Sequence, residues 1–471
     1  MQQKAILGPN GRPYRVAPRG RRISAKYDVA QTTTDNTNYW GNTDSLSPDA
    51  ANSLAVRKKL RERARYEVAN NSYAKGMLLT LANDCVNVGP TLQMLSEDAN
   101  ANATVEAEWR KWTHAIRLPQ KLRTMRMSRA QDGESFGLFA SNAKLRTRVK
   151  LDLELVETDQ ITTPDLAFDA ANAIDGIVFD ELGDAVEYHM LTDHPGSSYY
   201  TNASSYDRVP AAFMVHLFRA DRPGQHRGVP EITPALPLFA QLRRYTAAVI
   251  AAAETAADFA AVLQTDLPPS EDAYTEGEAF DVIDLEKRMA TILPNGYKLG
   301  QIRAEQPSTS YGDFKRQLLN EIARCLNMPY NVAACDSSDY NYASGRLDHQ
   351  TYDLSIAVDR SDVEAVVLDA LFTAWLAEAV LIEDFLPQPF RMLGANIEHR
   401  WFWRNRDHVD PVKVAAGARQ ELQFHGLTLA EWYARKGLDW ETQLRQRYRE
   451  LDLERQLAKA LPAPQEDSPC P

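Results

Sequence analysis

The stretch ADRPGQHRGVP at 220–230, followed closely by LFAQLRRYTAAVIAAAETAADFAAVL at 238–263, decides what kind of protein this is. The second segment holds 10 alanines among 26 residues, and alanine is the best helix former. At about 1.5 Å per residue it makes a rod of roughly 39 Å. Ala248, Ala252, Ala256 and Ala260 recur four apart, as do Ala253, Ala257 and Ala261, so small side chains line up along the rod and let other helix axes come close. Such a helix is either buried inside one large domain or packed against copies of itself from neighbouring subunits. Arg243, Arg244, Glu254 and Asp258 leave no uncharged window longer than nine residues, far short of the roughly 20 that span a bilayer.

The chain has 471 residues, 44% of them apolar and 25% charged, the balance of a globular protein with room for several domains. Cys85, Cys325, Cys335 and Cys470 form no CxxC pair and show no zinc spacing, which points away from a disulfide or metal framework and toward a reducing cytoplasm. The first 22 residues contain no apolar run of secretory length, and no later segment reads as a membrane span. Charge is divided unevenly. Residues 1–150 hold 25 Lys and Arg against 13 Asp and Glu, a balance of +12, whereas the rest hold 28 against 51, a balance of −23. A basic front and an acidic back suit a protein that touches nucleic acid or an acidic partner at one place and avoids sticking elsewhere.

Residues 1–45 read as a basic extended arm, without the apolar periodicity of a core. Ser47 as N-cap and Pro48 at the first helical position open a long helical region that reaches Val88. It carries Arg57, Lys58, Lys59, Arg61, Arg63 and Arg65 before turning apolar at Met77–Leu81. Val105 to Arg129 is helical again, with Trp109 and Trp112 on one face. From Asp132 the period changes to that of strands, mostly antiparallel, in DGESFGLFAS, VKLDLELVETDQITTP and IDGIVFDELGDAVEYHMLTDHPG, with a last strand at Phe213–Phe218. Helices return at Tyr311–Leu326 and Tyr342–Leu381. Thr428 and Glu431 form a capping box, Gly437 closes that helix, and the Pro-rich tail from 461 reads as disordered.

Chemistry is hard to place on this chain. A phosphate-binding GxxxxGK[ST] is absent, as are HExxH and GxSxG, so any ATP-driven work belongs to a partner. Asp132 and Glu134 could be the metal-binding carboxylates of a nuclease, although Asp-Gly between a helix and a strand is more simply a turn. His399, Trp401, Trp403 and His408 could form an aromatic binding site, or close a core beside the helix start at Asp410-Pro411.

Several segments, taken together and in order, resemble the lambda-type family of tailed-phage portal proteins: RARYEVANNSYAKGMLLTLANDCVNVGPTLQML, RAQDGESFGLF, LELVETDQITTP, ADRPGQHRGVP with PALPLFAQLRRYTAAVIAAAETAA, and MPYNVAACDSSDYNYASGR. The resemblance implies an α+β, mainly helical protomer that assembles into a ring, usually of twelve, at one vertex of the phage head. On that pattern 46–192 is an α/β wing, 193–231 a small clip or clip-stem region and 232–264 the stem helix. Residues 265–400 return to the wing with a channel loop and a long helix, and 401–460 form a helical crown. Double-stranded DNA would pass through without sequence specificity, driven by a terminase large subunit docked on the ring. The major capsid protein, scaffold and head-tail joining proteins would be further partners, in the host cytoplasm during assembly and then in the virion. No catalytic residue, metal, cofactor or membrane contact is implied. The expected subunit interface is Ala248, Ala252, Ala256 and Ala260. Channel-facing candidates are Glu254 and Asp258 on the rod and Asp336, Ser337, Ser338 and Asp339 in the loop Pro329–Asn341, with 294–310 as an alternative loop. Arg57 to Arg65 would be a basic contact surface. The competing expectation is a metal-dependent nuclease or other DNA-processing enzyme of a phage module.

Overall fold

The computed structural model describes residues 34, 37–40, 43–163, 172–197, 205–257, 261–265, 297–301, 310–338, 340–387, 390–391, 397–404, 411–434, 436 and 438–460. The expected disordered tail, Gly437, His408 and Asp410 lie outside them, as does most of the expected arm. Residues 1–47 form a unit of their own, in which one helical turn, α1 (Thr37–Trp40), is described. All else belongs to the second unit, Pro48–Pro471.

That unit opens with α2 (Pro48–Ala51), α3 (Leu54–Asn70) and α4 (Ser72–Val86), so the helical region read as continuous is cut twice. Asn71 makes the second cut. Its backbone is extended, and its side chain accepts the N–H groups of Tyr73 and Ala74, which would otherwise be orphaned at the start of α4. After strand β1 (Thr91–Met94), helices α5 (Ala99–Ala115) and α6 (Leu118–Asp132) are separated by Arg117 in the left-handed region at φ 56°. Gly133, at φ 93°, closes α6 and sends the chain into β2 (Glu134–Ser141).

The described strands pair antiparallel, as expected. β2 lies between β3 (Leu151–Val156) and β8 (Met214–Phe218), with Phe136 opposite Val156 on one side and His216 on the other. A second sheet is a meander of β4 (Ala173–Ile174), β5 (Ile177–Phe179), β6 (Ala185–Leu191) and β7 (Tyr206–Pro210). Between the two, Phe136, Ile161, Ile177, Tyr188, Val209 and Met214 make a small separate core.

The alanine rod is α7 (Leu236–Ala257), shorter than its composition suggests. Ala261–Leu263, expected to continue it, belong instead to strand β9 (Ala261–Thr265), paired with β10 (Tyr297–Gln301) through Leu263 opposite Leu299. Val262 and Thr265 are β-branched and suit a pleated surface better than a helix. The alternative channel loop at 294–310 therefore contains a strand. Then come α8 (Ser310–Arg324), α9 (Tyr330–Ala334) and α10 (Tyr342–Val363). The five-residue α9 falls in the stretch read as a loop. A π-helical segment (Glu364–Leu368) joins α10 to α11 (Asp369–Val380), after which β11 (His399–Phe402) pairs with β1. α12 (Pro411–Gln423), α13 (Leu429–Ala434) and α14 (Trp440–Ala460) finish the described chain. The capping box of α13 is made in both directions: Thr428 donates its N–H to Glu431 at 3.1 Å, and Glu431 donates its own to the Thr428 hydroxyl at 3.2 Å.

The main core gathers around aromatic rings. Trp109 stands 4.8 Å from Trp112, 5.3 Å from Phe372, 5.5 Å from Trp375 and 5.7 Å from Trp401, ring centre to ring centre. The Trp112 indole donates to the Leu151 carbonyl at 2.8 Å, which joins α5 to β3. Trp401 and Trp403 are core residues rather than a binding site. Their indoles donate to Asp369 at 2.7 Å, just after the π segment, and to Glu364, its first residue. His399 packs on Phe372 and contacts Asp369 at 3.2 Å. Among the described residues no helix is long and apolar enough to cross a membrane.

Candidate functional site: the clamped foot and bare end of the long helix

The segment HRGVPE, which delivers the chain to α7, is held by a run of buried polar contacts. His226 meets Asp49 twice, through its N–H at 3.0 Å and its Nδ1 at 2.9 Å. Asn52 donates to the Arg227 carbonyl at 3.0 Å, and Gln225 donates to the same oxygen at 2.9 Å. Arg227 is fully buried and spends its guanidinium on Glu134 (Nη2 to Oε1 2.7 Å, Nε to Oε2 2.9 Å), the carbonyls of Ile161 and Asp175, and the Asp175 carboxylate. Glu134 also accepts the Gly228 N–H at 3.0 Å and faces His216 Nε2 at 2.9 Å. Gly228 is dictated by space. A Cβ there would stand 2.5 Å from the carbonyl carbon of Gly133, and one on Gly133 would stand 2.5 Å from that of Val229, so two backbones cross where no side chain fits.

One step further on, Glu231 is buried between Arg126 (3.0 Å) and Arg129 (3.0 Å) of α6. The same arginines reach Asp359 of α10 at 2.7 and 3.2 Å, and Arg129 reaches Asp362 at 3.0 Å. The foot of α7 is thus tied through charge to both α6 and α10. Burial alone would push the Glu134 carboxyl up, but Arg227 and the His216 contact outweigh it and hold the group well below the ordinary carboxylate range. Burial likewise pushes the His216 imidazole down, against the pull of Glu134. Desolvation, with the field of Arg227 added, lowers the Arg57 guanidinium to about 10.

α7 changes character along its length. Leu236, Phe239 and Leu242 are buried. Arg243 pairs with Glu67 at 3.0 Å and lies over the Tyr66 ring, while Tyr245 packs on Phe314 at 4.7 Å. Beyond Thr246 the helix stands bare: Ala247, Ala248, Ile250, Ala251, Ala253 and Glu254 are exposed, with Ile250 at 53%, and Val249 and Ala252 are half-buried. Of the expected interface residues, Ala248 and Ala252 lie on this bare part. Ala256 belongs to the helix with its side chain outside the described set, and Ala260 and Asp258 lie outside the described residues.

In the expected channel loop, Asp336 is half-buried and accepts the Ser338 N–H at 3.0 Å, Ser337 is exposed, and Asp339 is outside the described residues. Beside it a polar cavity of about 460 Å³ opens between α8 and the first turns of α10, lined by Arg316, Asn320, Tyr330, Tyr340, Ser344 and Asp348.

The basic stretch is not one surface. Arg57 and Arg61 are buried, 1% and 3% exposed, with Arg57 paired to Asp175 and Arg61 to Asp159 at 2.7 Å. Arg65 is half-buried and holds Asp132 and Asp159, each at 2.7 Å. The remaining three, Lys58, Lys59 and Arg63, face solvent. A signal for this was present in the sequence: Arg57 and Arg61 share a helical stripe with Ala64 and Val68, the core-facing residues of α3.

The carboxylates of the nuclease alternative are consumed by cations. Asp132 is held by Arg65 and Glu134 by Arg227, on either side of a Gly133 turn. Glu157, Asp159 and His194 bring one ligand atom each within 4.8 Å of one another, a grouping the spacing of the histidines did not reveal. Asp159 already carries Arg61 and Arg65, which supply the positive charge a metal ion would bring.

Comparison with known proteins agrees with the motif pattern. A family model described as phage portal protein, lambda family, matches residues 34–358. A probable portal protein of Halomonas phage phiHAP-1 is 23% identical over 487 residues, covering 97% of this chain and 92% of that protein. Among solved structures, a chain in the virion of a native gene transfer agent particle aligns at 14% identity with a TM-score of 0.47, covering 81% of this chain and 93% of that one. A chain from the neck of the native particle computed with C12 symmetry aligns at 13% identity with the same TM-score of 0.47, covering 82% and 94%.

Proposed function

Because the chain belongs to the lambda family of phage portal proteins, we propose that it forms a closed ring at one capsid vertex, twelve copies in the family pattern, through which double-stranded DNA is packaged and later ejected. Its role is structural. The observation that carries the ring is the bare end of α7: a helix anchored by a buried foot and then exposing Ala247, Ala248, Ile250 and Ala251 to solvent is incomplete as a monomer. Neighbouring copies of the same helix, with alanines at the close-approach positions, supply the missing cover. Ala248, Ala252, Ala256 and Ala260 are the interface residues of this reading.

Glu254, Asp258 and the loop Asp336–Asp339 face the channel in this arrangement, where acids repel phosphate weakly and let DNA slide. A basic bore would grip instead, since each neutralised phosphate releases counterions and adds affinity. Lys58, Lys59 and Arg63 lie outside the bore. The terminase large subunit supplies ATP turnover; capsid protein, scaffold and head-tail joining proteins dock around the ring. The chain itself catalyses nothing.

Mass measurement and negative-stain images of the purified protein test this. Rings of uniform size, with no ATP turnover in the absence of terminase, are the expected result. A chain that stays monomeric at high concentration, or that cuts DNA with magnesium, overturns it.

A further inference from the structure

α10 presents a second face that the protomer leaves uncovered. Its inner side is fixed: Tyr352, Ile356 and Val363 are buried, Tyr352 donates its hydroxyl proton to Asp84 of α4 at 2.9 Å, and Asp359 is locked to Arg126 and Arg129. The opposite side therefore cannot roll inward. Along it Leu347, Thr351, Leu354, Ala357, Val358 and Ser361 are exposed, the three largest at 66%, 67% and 57%. At about 1.5 Å per residue this is a stripe of roughly 21 Å without a charge, in a chain that is 25% charged. Exposed Arg346, Asp348 and Asp353 border it.

A stripe with no cation along it, and with two aspartates against one arginine at its edge, is not built for phosphate or for an anionic lipid surface. It suits a protein surface that combines apolar side chains with cations on long aliphatic stems, and this chain carries one. On α3, Val56, Lys59, Arg63 and Tyr66 follow at helical spacing on the side away from buried Arg57, Arg61, Ala64 and Val68. Val56 is 42% and Tyr66 56% exposed. Lys58, Lys59 and Arg63 oppose Asp348 and Asp353 in sign, and Glu62 opposes Arg346.

Resting on the ring reading above, we infer that the outward face of α10 seats on the outward face of α3 in the neighbouring copy, as a contact between copies separate from α7. Two different faces of one chain meeting in this way make a heterologous contact, the kind that closes into a ring. The stems of Lys59 and Arg63 lie along the aliphatic stripe while their charged heads reach the aspartates at its edge, which fixes which faces meet.

The test uses the full chain. The wild type is first shown to form rings by light scattering and images. Leu354→Lys with Val358→Lys should raise the concentration for half-assembly by at least about tenfold, because two ammonium groups would be brought against Lys59 and Arg63 of the neighbouring copy and lose solvent there. Thermal unfolding of the monomer should not change, since both side chains are exposed in it. Separately, Lys59→Cys with Leu354→Cys, joined by a short bis-maleimide, should give a ladder of cross-linked multimers that neither single variant gives. Rings from the double-Lys chain at wild-type concentrations overturn the inference while the ring reading stands. Absence of the ladder in well-formed rings overturns α3 as the counterpart, and a wild type that never forms rings overturns both readings.

Discussion

Replacing Arg227 with Met tests whether the foot of α7 is held by charge or merely by packing. The substitution keeps most of the volume and removes every donor: three bonds to Glu134, those to the Ile161 and Asp175 carbonyls, and the pair with the Asp175 carboxylate. Glu134, fully buried, keeps only His216 and the Gly228 N–H. Losing one partner of a buried pair costs about 3–5 kcal/mol, a large part of the roughly 5–15 kcal/mol that stabilises a domain. The pH dependence should change sign. In the wild type the depressed Glu134 carboxyl contributes stability that is present above its unfolded pKa and lost as pH falls through the folded one. Without Arg227, burial raises that group, and a raised carboxyl contributes stability that is lost as pH rises. His216, freed from the same positive field, takes up a proton more readily and adds to the low-pH preference. Urea unfolding followed by tryptophan fluorescence at pH 5 and pH 8 reads both effects. The Met variant should lose about 3–5 kcal/mol at pH 8 and less at pH 5, and adding Glu134→Gln should restore part of the loss at pH 8. A variant within about 1 kcal/mol of wild type at pH 8, with an unchanged slope, would refute the argument.

Two further expectations follow from local geometry. Gly228→Ala forces a Cβ to 2.5 Å from the Gly133 carbonyl carbon and should cost at least about 1–3 kcal/mol in a thermal melt. Gly312→Ala on α8, where nothing lies within 4 Å, should instead add about 0.5–1 kcal/mol, so equal melts for the two would show that the crossing is not tight. Glu106, which accepts the Met94 N–H at 2.8 Å, is pushed up to about 7 by burial, with Asp439 and Glu441 adding to the push. Its stabilising effect is therefore present below its unfolded pKa and lost as pH rises through about 7. Glu106→Gln should gain about 1–2 kcal/mol over wild type at pH 8 but not at pH 5, after allowing for partial exposure, and a gain that is the same at both pH values would sink that account.

What could be read from the residues depended on how local its cause was. The strands β2, β3 and β6, the Gly133 turn and the capping box at Thr428 and Glu431 are set by neighbours in sequence, and they stand where the pattern put them. The pairing of β1 with β11 joins two four-residue strands some three hundred positions apart, and nothing in either segment names the other. The rod lost its last turn to β9 because alanine favours a helix while a partner strand favours a ladder, and the partner lies beyond the window that periodicity can see. The arginines of α3 misled for a different reason. Charge count suggests a surface, whereas the stripe of Arg57, Arg61, Ala64 and Val68 shows that two of them point inward, to acids contributed by the loops around Asp159 and Asp175. The bare end of α7 was legible as composition, but its exposure depends on where the core stops.

That helix also has a mechanical side. It is a cantilever, clamped over its first three turns by apolar packing and by the ion pairs behind Glu231, and largely exposed over roughly 11 Å from Ala247 to Glu254. A transverse push at the free end produces its largest bending moment at the clamp, where the load passes through Arg126 and Arg129 into α6 and α10. Directional contacts in a dry interior resist being levered apart more stiffly than apolar packing, which can slide. A beam of this kind deflects far less once its tip is braced from both sides, so close-packed neighbours would raise the stiffness of each rod as well as its stability.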